Sequence, residues 1–156
     1  MRVIKVGSIS SAARQLSDYA SSLDARADAL ALSLAGTASG TAKSTCPQSS
    51  GTLARSIRVD YHGGGRADVV AASEHAAFVE FGTGIGPAST RRQDASAMAE
   101  SGYRVNASGK GEAGWLFPTA DGWKLTHGQS GKGFMAAGAE EARDRLYRTA
   151  RQVFGS

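Results

Sequence analysis

The apolar positions between residues 9 and 45 follow the period of a long amphipathic helix. They recur every three or four residues, at Ile9, Ala12, Leu16, Tyr19, Leu23, Ala27, Leu30 and Leu34. This spacing places them on one stripe of a helix with 3.6 residues per turn. Pro47 ends the helix by Cys46 at the latest, because the residue before a proline disfavours the helical conformation. We expect part of this long stripe to contact another subunit; the alternative is that the helix folds back on its own sheet and is used there in full.

A turn and a β-hairpin are predicted over residues 48–73. From Leu53 to Tyr61 the chain alternates between apolar and polar residues, which is the period of a half-buried strand. Glycines 63–65 supply the connection because they tolerate positive φ angles. Residues 67–72 form the returning strand.

Residues 74–84 form a block in which an acid, Glu80, stands among apolar residues that step like one helical turn. Gly82 and Gly84 stop that turn. Burying the acid without a partner would cost several kcal/mol. We therefore expect Glu80 to pair with Arg55 or Arg58, or to accept backbone N–H bonds.

A long irregular loop is predicted over residues 85–114, which glycine, serine and proline interrupt repeatedly. A capping box from Thr90 to Gln93 predicts one short helix inside it, over about residues 91–100. Loops of this length are functional or disordered when alone, so we interpret this segment as mobile.

Residues 115–156 predict a second hairpin and a closing helix. The two strands run over 115–118 and 123–126, and a glycine-rich link over 128–133 leads into the helix. The apolar stripe of the helix is Met135, Ala139, Ala142, Leu146, Ala150 and Val153. Its acids come early and its arginines late, which complements the helix dipole. The predicted fold is a single α+β domain over residues 1–156, with a long N-terminal and a C-terminal helix packed on a small antiparallel β-sheet.

Composition narrows the classes of function. A chain of 156 residues has the length of one domain. With 20 glycines and 7% aromatic residues, we expect a thin core and close helix contacts. The net charge of +4 is mild, and most basic residues stand beside acids, unlike the clustered surface of a nucleic-acid binder. The sequence has neither the ~18 apolar residues of a membrane span nor the apolar region of a signal peptide, so we expect a protein made and kept in a cytoplasm, without membrane contact.

The residues that carry chemistry form no recognisable site. Cys46 is the single cysteine, and the three histidines have no metal-ligand spacing. The Gly128 to Lys132 stretch lacks the spacing of a phosphate loop, and no Gly-x-Ser-x-Gly elbow occurs. We therefore predict no catalytic residue, cofactor or metal, and no enzyme.

Three blocks stand in order along the chain. They are Pro47-x-x-Ser50-Gly51-x-Leu53-x-x-Ser56-Ile57, Ala76-Ala77-Phe78-Val79-Glu80-Phe81-Gly82-Thr83 and Phe134-Met135. Together they resemble the tail-completion or head–tail joining family, the small minor tail components of long-tailed phages. That family commonly has Pro, then Thr-Gly-x-Leu and Ser-Ile, then Tyr-Ala-x-x-Val-Glu-Phe-Gly-Thr, and then Pro-Phe-Met. Ser50, His75 and Gly133 replace the family's Thr, Tyr and Pro.

The resemblance implies a structural virion protein without chemistry of its own. Such an adaptor assembles as a ring in the neck, here of six or twelve copies, and helps join a finished tail to a DNA-filled head. Its partners would be its own copies and other neck and tail proteins, with non-specific contact to packaged DNA left open. It would be made in the host bacterial cytoplasm and reside in the virion neck or tail. The alternatives are a tail-terminator ring that caps the tail tube and, from another class, a small basic nucleic-acid-binding accessory protein.

Residues for subunit contact are predicted in the second block, the long loop, the second hairpin and the start of the last helix. They are Phe78, Glu80, Phe81, Thr83, Arg91, Arg92, Trp115, Trp123 and Phe134. Tryptophan is favoured as an interface anchor. The alternative for Trp115 and Trp123 is that they pair across the hairpin as a local core.

Overall fold

A computed structural model of the chain describes residues 9–49, 51–84, 100 and 113–155. The elements of the described part are α1 (Ile9–Thr45), α2 (Thr52–Ser56), β1 (Ile57–Gly63), β2 (Arg66–Ala71), α3 (Ala76–Phe81), β3 (Gly82–Gly84), β4 (Trp115–Thr119), β5 (Gly122–Thr126), β6 (Gly128–Ser130) and α4 (Phe134–Phe154). The α+β class with a long helix near each end is confirmed. The predicted mobile loop over residues 85–114, including its short helix, lies outside the described residues except for residues 100, 113 and 114.

Within the described residues, the strands form three two-stranded antiparallel sheets rather than one sheet. The first pairs β1 with β2, and Ile57 lies opposite Ala71. The second pairs β3 with β6, and the third pairs β4 with β5. The two predicted hairpins are confirmed, whereas the β3–β6 pair uses part of the segment interpreted as a glycine-rich link.

The two long helices pack antiparallel and very close together. Near the end of α1, an ideal Cβ on Gly138 would lie 2.5 Å from the Ala38 carbonyl oxygen. At the other end of α4, the Arg26 guanidinium donates a hydrogen bond to the Phe154 carbonyl oxygen at 3.4 Å. The glycine thus lets the two backbones approach, and the close helix contact expected from the composition is confirmed.

The buried face of α4 differs from the predicted stripe. Gly138 and Thr149 are buried, whereas Ala139 and Leu146 of the stripe are exposed. The reason is that the closest helix approach selects the smallest side chain. The stripe predicted from the larger apolar residues is therefore offset from the face of α4 that packs on α1.

The core lies at the C-terminal end of α1. Its largest fully buried side chains are Ile57 and Phe134, which bring the start of β1 and the start of α4 together. The buried residues of the cluster are Ala42, Cys46, Ile57, Ala76 and Phe134. Because most of these are small, the core of the described part is thin, as the composition indicates.

The N-terminal half of α1 lies outside this core. Ile9 is 90% exposed, Leu16 70% and Tyr19 60%. At 37 residues, α1 is about 55 Å long, and its Arg26 guanidinium bonds to the C-terminal end of α4. The large apolar side chains before Arg26 are exposed in the described structure, and the expected contact of this half with another subunit stays a prediction.

The first predicted strand begins later than expected. Thr52–Ser56 forms one helical turn, α2, and β1 starts at Ile57. Gly51 has a positive φ of 66°, the Arg55 amide donates to its carbonyl at 3.0 Å, and the Ser56 hydroxyl donates to the Leu53 carbonyl at 2.8 Å. These local bonds favour a turn over the strand that the alternation predicted.

The two tryptophans of the second hairpin do not pair. Trp115 lies opposite Thr126, and Trp123 lies opposite Pro118. Cross-strand partners share a face and neighbours along a strand alternate, so the two rings lie on opposite faces. The local-core alternative for this pair is therefore wrong.

Candidate functional site

Glu80 caps the N-terminus of α4. Its carboxylate oxygens accept hydrogen bonds from the backbone amides of Met135 at 2.9 Å and Ala136 at 3.0 Å. These two amides are among the first donors of a helix, which have no partner inside it. Gly133, at the N-cap position, has no side chain to serve them. The carboxylate therefore acts as an N-cap supplied from α3, where it also meets the positive end of the helix dipole.

Of the partners expected for Glu80, the backbone amides are confirmed and the arginines are wrong. The Arg58 guanidinium donates to the Asp60 carboxylate at 2.9 Å instead. The guanidinium of Arg55 lies next to Gly51. The N-terminus of α4 is the more favourable partner for the Glu80 carboxylate, because it offers two aligned N–H donors and a partial positive charge at one place.

Backbone bonds surround this cap and join two distant segments of the chain. The amides of Lys132 and Gly133 donate to the carbonyls of Val79 and Glu80 at 2.7 and 3.1 Å. In the β3–β6 pair, the Gln129 amide also donates to the Thr83 hydroxyl at 3.2 Å. We call this region, residues 79–83 with residues 128–136, the cap junction.

Two glycines make the cap junction sterically feasible. Gly82 has a positive φ of 86°, and an ideal Cβ there would lie 2.5 Å from the Gly131 amide nitrogen. A Cβ on Gly131 would lie 2.5 Å from the Glu80 carbonyl oxygen. The glycine-rich pattern of residues 128–133 did not by itself indicate this role. The sequence did contain one indication of it. The blocks around Glu80 and at Phe134 occur in the same chain, and residues 128–133 bring them together.

The predicted contact residues divide into two groups. Phe134 lies in the core, and Glu80, Phe81 and Thr83 belong to the cap junction, where they hold the subunit together. Phe78 and Trp123 are exposed, and Trp115 is half-buried. Arg91 and Arg92 lie outside the described residues.

One face of the β4–β5 hairpin is apolar and exposed. Leu116 pairs with Leu125, and Pro118 pairs with Trp123, so all four side chains share that face. Trp123 is 70% exposed, and both leucines are also exposed. We call this surface the hairpin face.

The tip of the first hairpin is tied to α1 by Asp28. Its carboxylate accepts a hydrogen bond from the Gly65 amide at 2.7 Å. This backbone bond, and then a hydrogen bond from the Tyr61 hydroxyl, lower the pKa of Asp28. The same contact raises the pKa of Tyr61, chiefly because the hydroxyl donates to the carboxylate. Both shifts favour the charged acid and the neutral phenol, which is the arrangement that forms the bond.

The described ranges contain neither a membrane-spanning helix nor a metal-binding cluster. No helix there is long and apolar enough to cross a membrane. Among the same residues, no three His, Cys, Asp or Glu side chains lie together as the ligands of a metal ion would.

One family model matches slightly less than half of the chain, in its N-terminal part. It is described as "Bacteriophage HK97-gp10, putative tail-component" and matches residues 10–82. The chain resembles phage tail components over this range. The matched range runs from α1 through the first hairpin to Gly82 and contains the first of the three sequence blocks and nearly all of the second. It therefore confirms the resemblance predicted from those blocks. Neither the curated proteins nor the solved structures contain a match to the chain.

The match supports a general function as a tail-associated structural protein of a phage virion. Structural tail components of this kind are typically non-enzymatic. The cap junction agrees with a structural role, because its polar groups are used in holding α3, β3 and α4 together.

Proposed function

We propose that this chain is a neck adaptor of a long-tailed phage or prophage, which assembles as a ring and helps join the finished tail to the DNA-filled head. The observation that carries this proposal is the apolar surface that the described subunit leaves exposed along the N-terminal half of α1 and on the hairpin face. Contiguous exposed apolar surface is typical of proteins that function in contact with others. The match to phage tail components supports a phage tail as the assembly in which such contacts would form.

A ring is favoured over a two-fold dimer because the exposed apolar surfaces lie on different elements. A contact in which one surface of a copy meets a different surface of the next, without the reciprocal contact between the same two copies, is heterologous, and such contacts close into rings when the rotation permits it. The partners are thus other copies of the chain, with neighbouring neck and tail proteins on the surfaces that the ring leaves free.

The test is deletion of the gene in the phage or prophage that encodes it, followed by electron microscopy of the particles. We expect DNA-filled heads and separate tails of normal length, and we expect the wild-type gene supplied in trans to restore joined particles. Tails of uncontrolled length would identify a terminator ring, because nothing would stop the tube from growing. Joined, infectious particles without the protein would contradict both roles.

A second measurement separates the nucleic-acid alternative. A protein that works by neutralising phosphates binds duplex DNA with an affinity that falls steeply as salt rises. A monomeric protein with tight, salt-sensitive DNA binding would overturn the proposed adaptor role.

A further inference from the structure

We propose that the projecting half of α1 in one copy docks on the outer face of α4 in the next copy. The projecting half, residues 9–25, is called the α1 arm. The outer face of α4 is the surface formed by Leu146, Tyr147 and Phe154. This inference rests on the proposed ring and identifies the surfaces that would form it.

The α1 arm has the pattern of a helix that packs on another helix. Its apolar residues follow the 3–4 spacing of a helix–helix seam, at Ile9, Ala12, Leu16, Tyr19 and Leu23. Neither end of that seam touches the core of its own subunit. Isolated helices of this length are marginal in water, so a covering surface would stabilise the arm considerably.

The outer face of α4 offers a matching helical surface. Tyr147 is 74% exposed, and Leu146 and Phe154 are exposed as well. The Arg151 guanidinium lies 5.7 Å above the Tyr147 ring, and these two side chains line an open depression together with Arg148 and Gln152. An apolar side chain on a neighbouring helix would fit against this aromatic and arginine-lined surface.

The charges of the two surfaces are complementary. The arm carries Asp18 and Asp24 against the single base Arg14, which gives it one net negative charge. After Asp144, α4 carries only bases, at Arg145, Arg148 and Arg151. Two arms would instead bring like net charges together, and a two-fold arm–arm contact would close as a dimer and could not form a ring.

Disulfide trapping between two single-cysteine variants tests this contact directly. The native cysteine is removed with Cys46→Ala, and one sample then carries Leu16→Cys on the arm while the other carries Tyr147→Cys on α4. Both positions are exposed, so circular dichroism should report two folded proteins. After mixing and mild oxidation, we expect a mixed disulfide dimer as the main product.

The matched control is Lys124→Cys, an exposed cysteine on β5 that is predicted not to react with the arm. Reversing two charges of α4, with Arg148→Glu and Arg151→Glu, should strongly reduce the mixed product. Reversing the arm as well, with Asp18→Arg and Asp24→Arg, should restore it. General loss of folding cannot produce such a rescue.

Two outcomes would overturn the docking. One is that Leu16→Cys cross-links mainly to itself, which means that arms pair with arms. The other is the absence of a mixed product while light scattering still detects an oligomer, which leaves the ring in place and assigns it to other surfaces. Failure of the adaptor role appears separately, as joined particles in the gene deletion.

Discussion

Glu80 illustrates how a single side chain can be decisive for a fold without taking part in any reaction. It and Met135 are 55 positions apart, yet the carboxylate supplies the start of α4 with the acceptors that its own N-cap residue lacks. An acid in an apolar block before a glycine could therefore be predicted to need partners. Its actual partners could not be, because they depend on where a distant helix begins.

Removal of the Glu80 carboxylate should destabilise the protein without changing its exposed surfaces. Glu80→Ala leaves the Met135 and Ala136 amides without their cap, and loss of a cap costs roughly 1–2 kcal/mol. Glu80→Gln keeps one acceptor oxygen and should cost less. Urea unfolding of the three proteins measures this order, and equal midpoints would show that the cap is not a source of stability.

Asp28 and Tyr61 give the protein a stability window in pH. The pKa of Asp28 is lowered below its usual 3.8, so its contribution is present above that pH and is lost as the pH falls through the folded-state value. The pKa of Tyr61 is raised above 10.0, so its contribution is present below that pH and is lost as the pH rises through the folded-state value.

We therefore expect Asp28→Asn to lower Tm between these limits and to have a smaller effect at strongly acid or alkaline pH. Thermal unfolding across the pH range measures the difference between the two proteins. Glu74→Gln, which removes an acid from the exposed turn before α3, is the control for loss of one charge. A difference in Tm that stays constant from acid to alkaline pH would argue against the bond.

At the scale of elements, the accuracy of sequence-based prediction follows the range of the forces involved. The bounds of α1 were predictable because its stripe extends over many turns of one helix. The β3–β6 pair was not, since strands of three residues have too little alternation to be recognised and depend on a partner about 45 positions away. The hairpin face was similarly hidden, because only the observed register places Trp123 beside the two leucines.

Replacing a glycine by alanine should have opposite effects on stability inside and outside the contact between the two long helices. Gly138→Ala gains helix propensity, about 1 kcal/mol, but its methyl group would lie 2.5 Å from the Ala38 carbonyl oxygen. Such overpacking typically costs about 1–3 kcal/mol, so we expect net destabilisation. Gly36→Ala and Gly40→Ala, in α1, meet no atom within 4 Å and should stabilise by about 0.5–1 kcal/mol. Chemical denaturation of the three variants compares them, and a stabilising Gly138→Ala would mean that the helices are farther apart.

At the scale of the whole molecule, many of the large apolar side chains lie away from the buried core. The core brings together small residues with Ile57 and Phe134 at one end of α1, whereas Leu16, Tyr19 and the hairpin face lie away from it. A chain organised in this way obtains part of its stability from the surfaces that cover it. The thin core and the proposed ring are thus two consequences of the same distribution.

If assembly contributes to stability, Tm should depend on protein concentration. Above the dissociation constant, each tenfold rise in concentration adds about 1.4 kcal/mol, which for a chain of this size raises Tm by roughly 3–5 °C. The double variant Leu16→Ser with Tyr19→Ser changes only exposed side chains, so its Tm at low concentration should remain close to that of the wild type. Its Tm should also be independent of concentration. Differential scanning calorimetry at several concentrations tests both statements. A wild-type Tm that is independent of concentration would mean that the exposed stripe is covered by another protein rather than by a second copy.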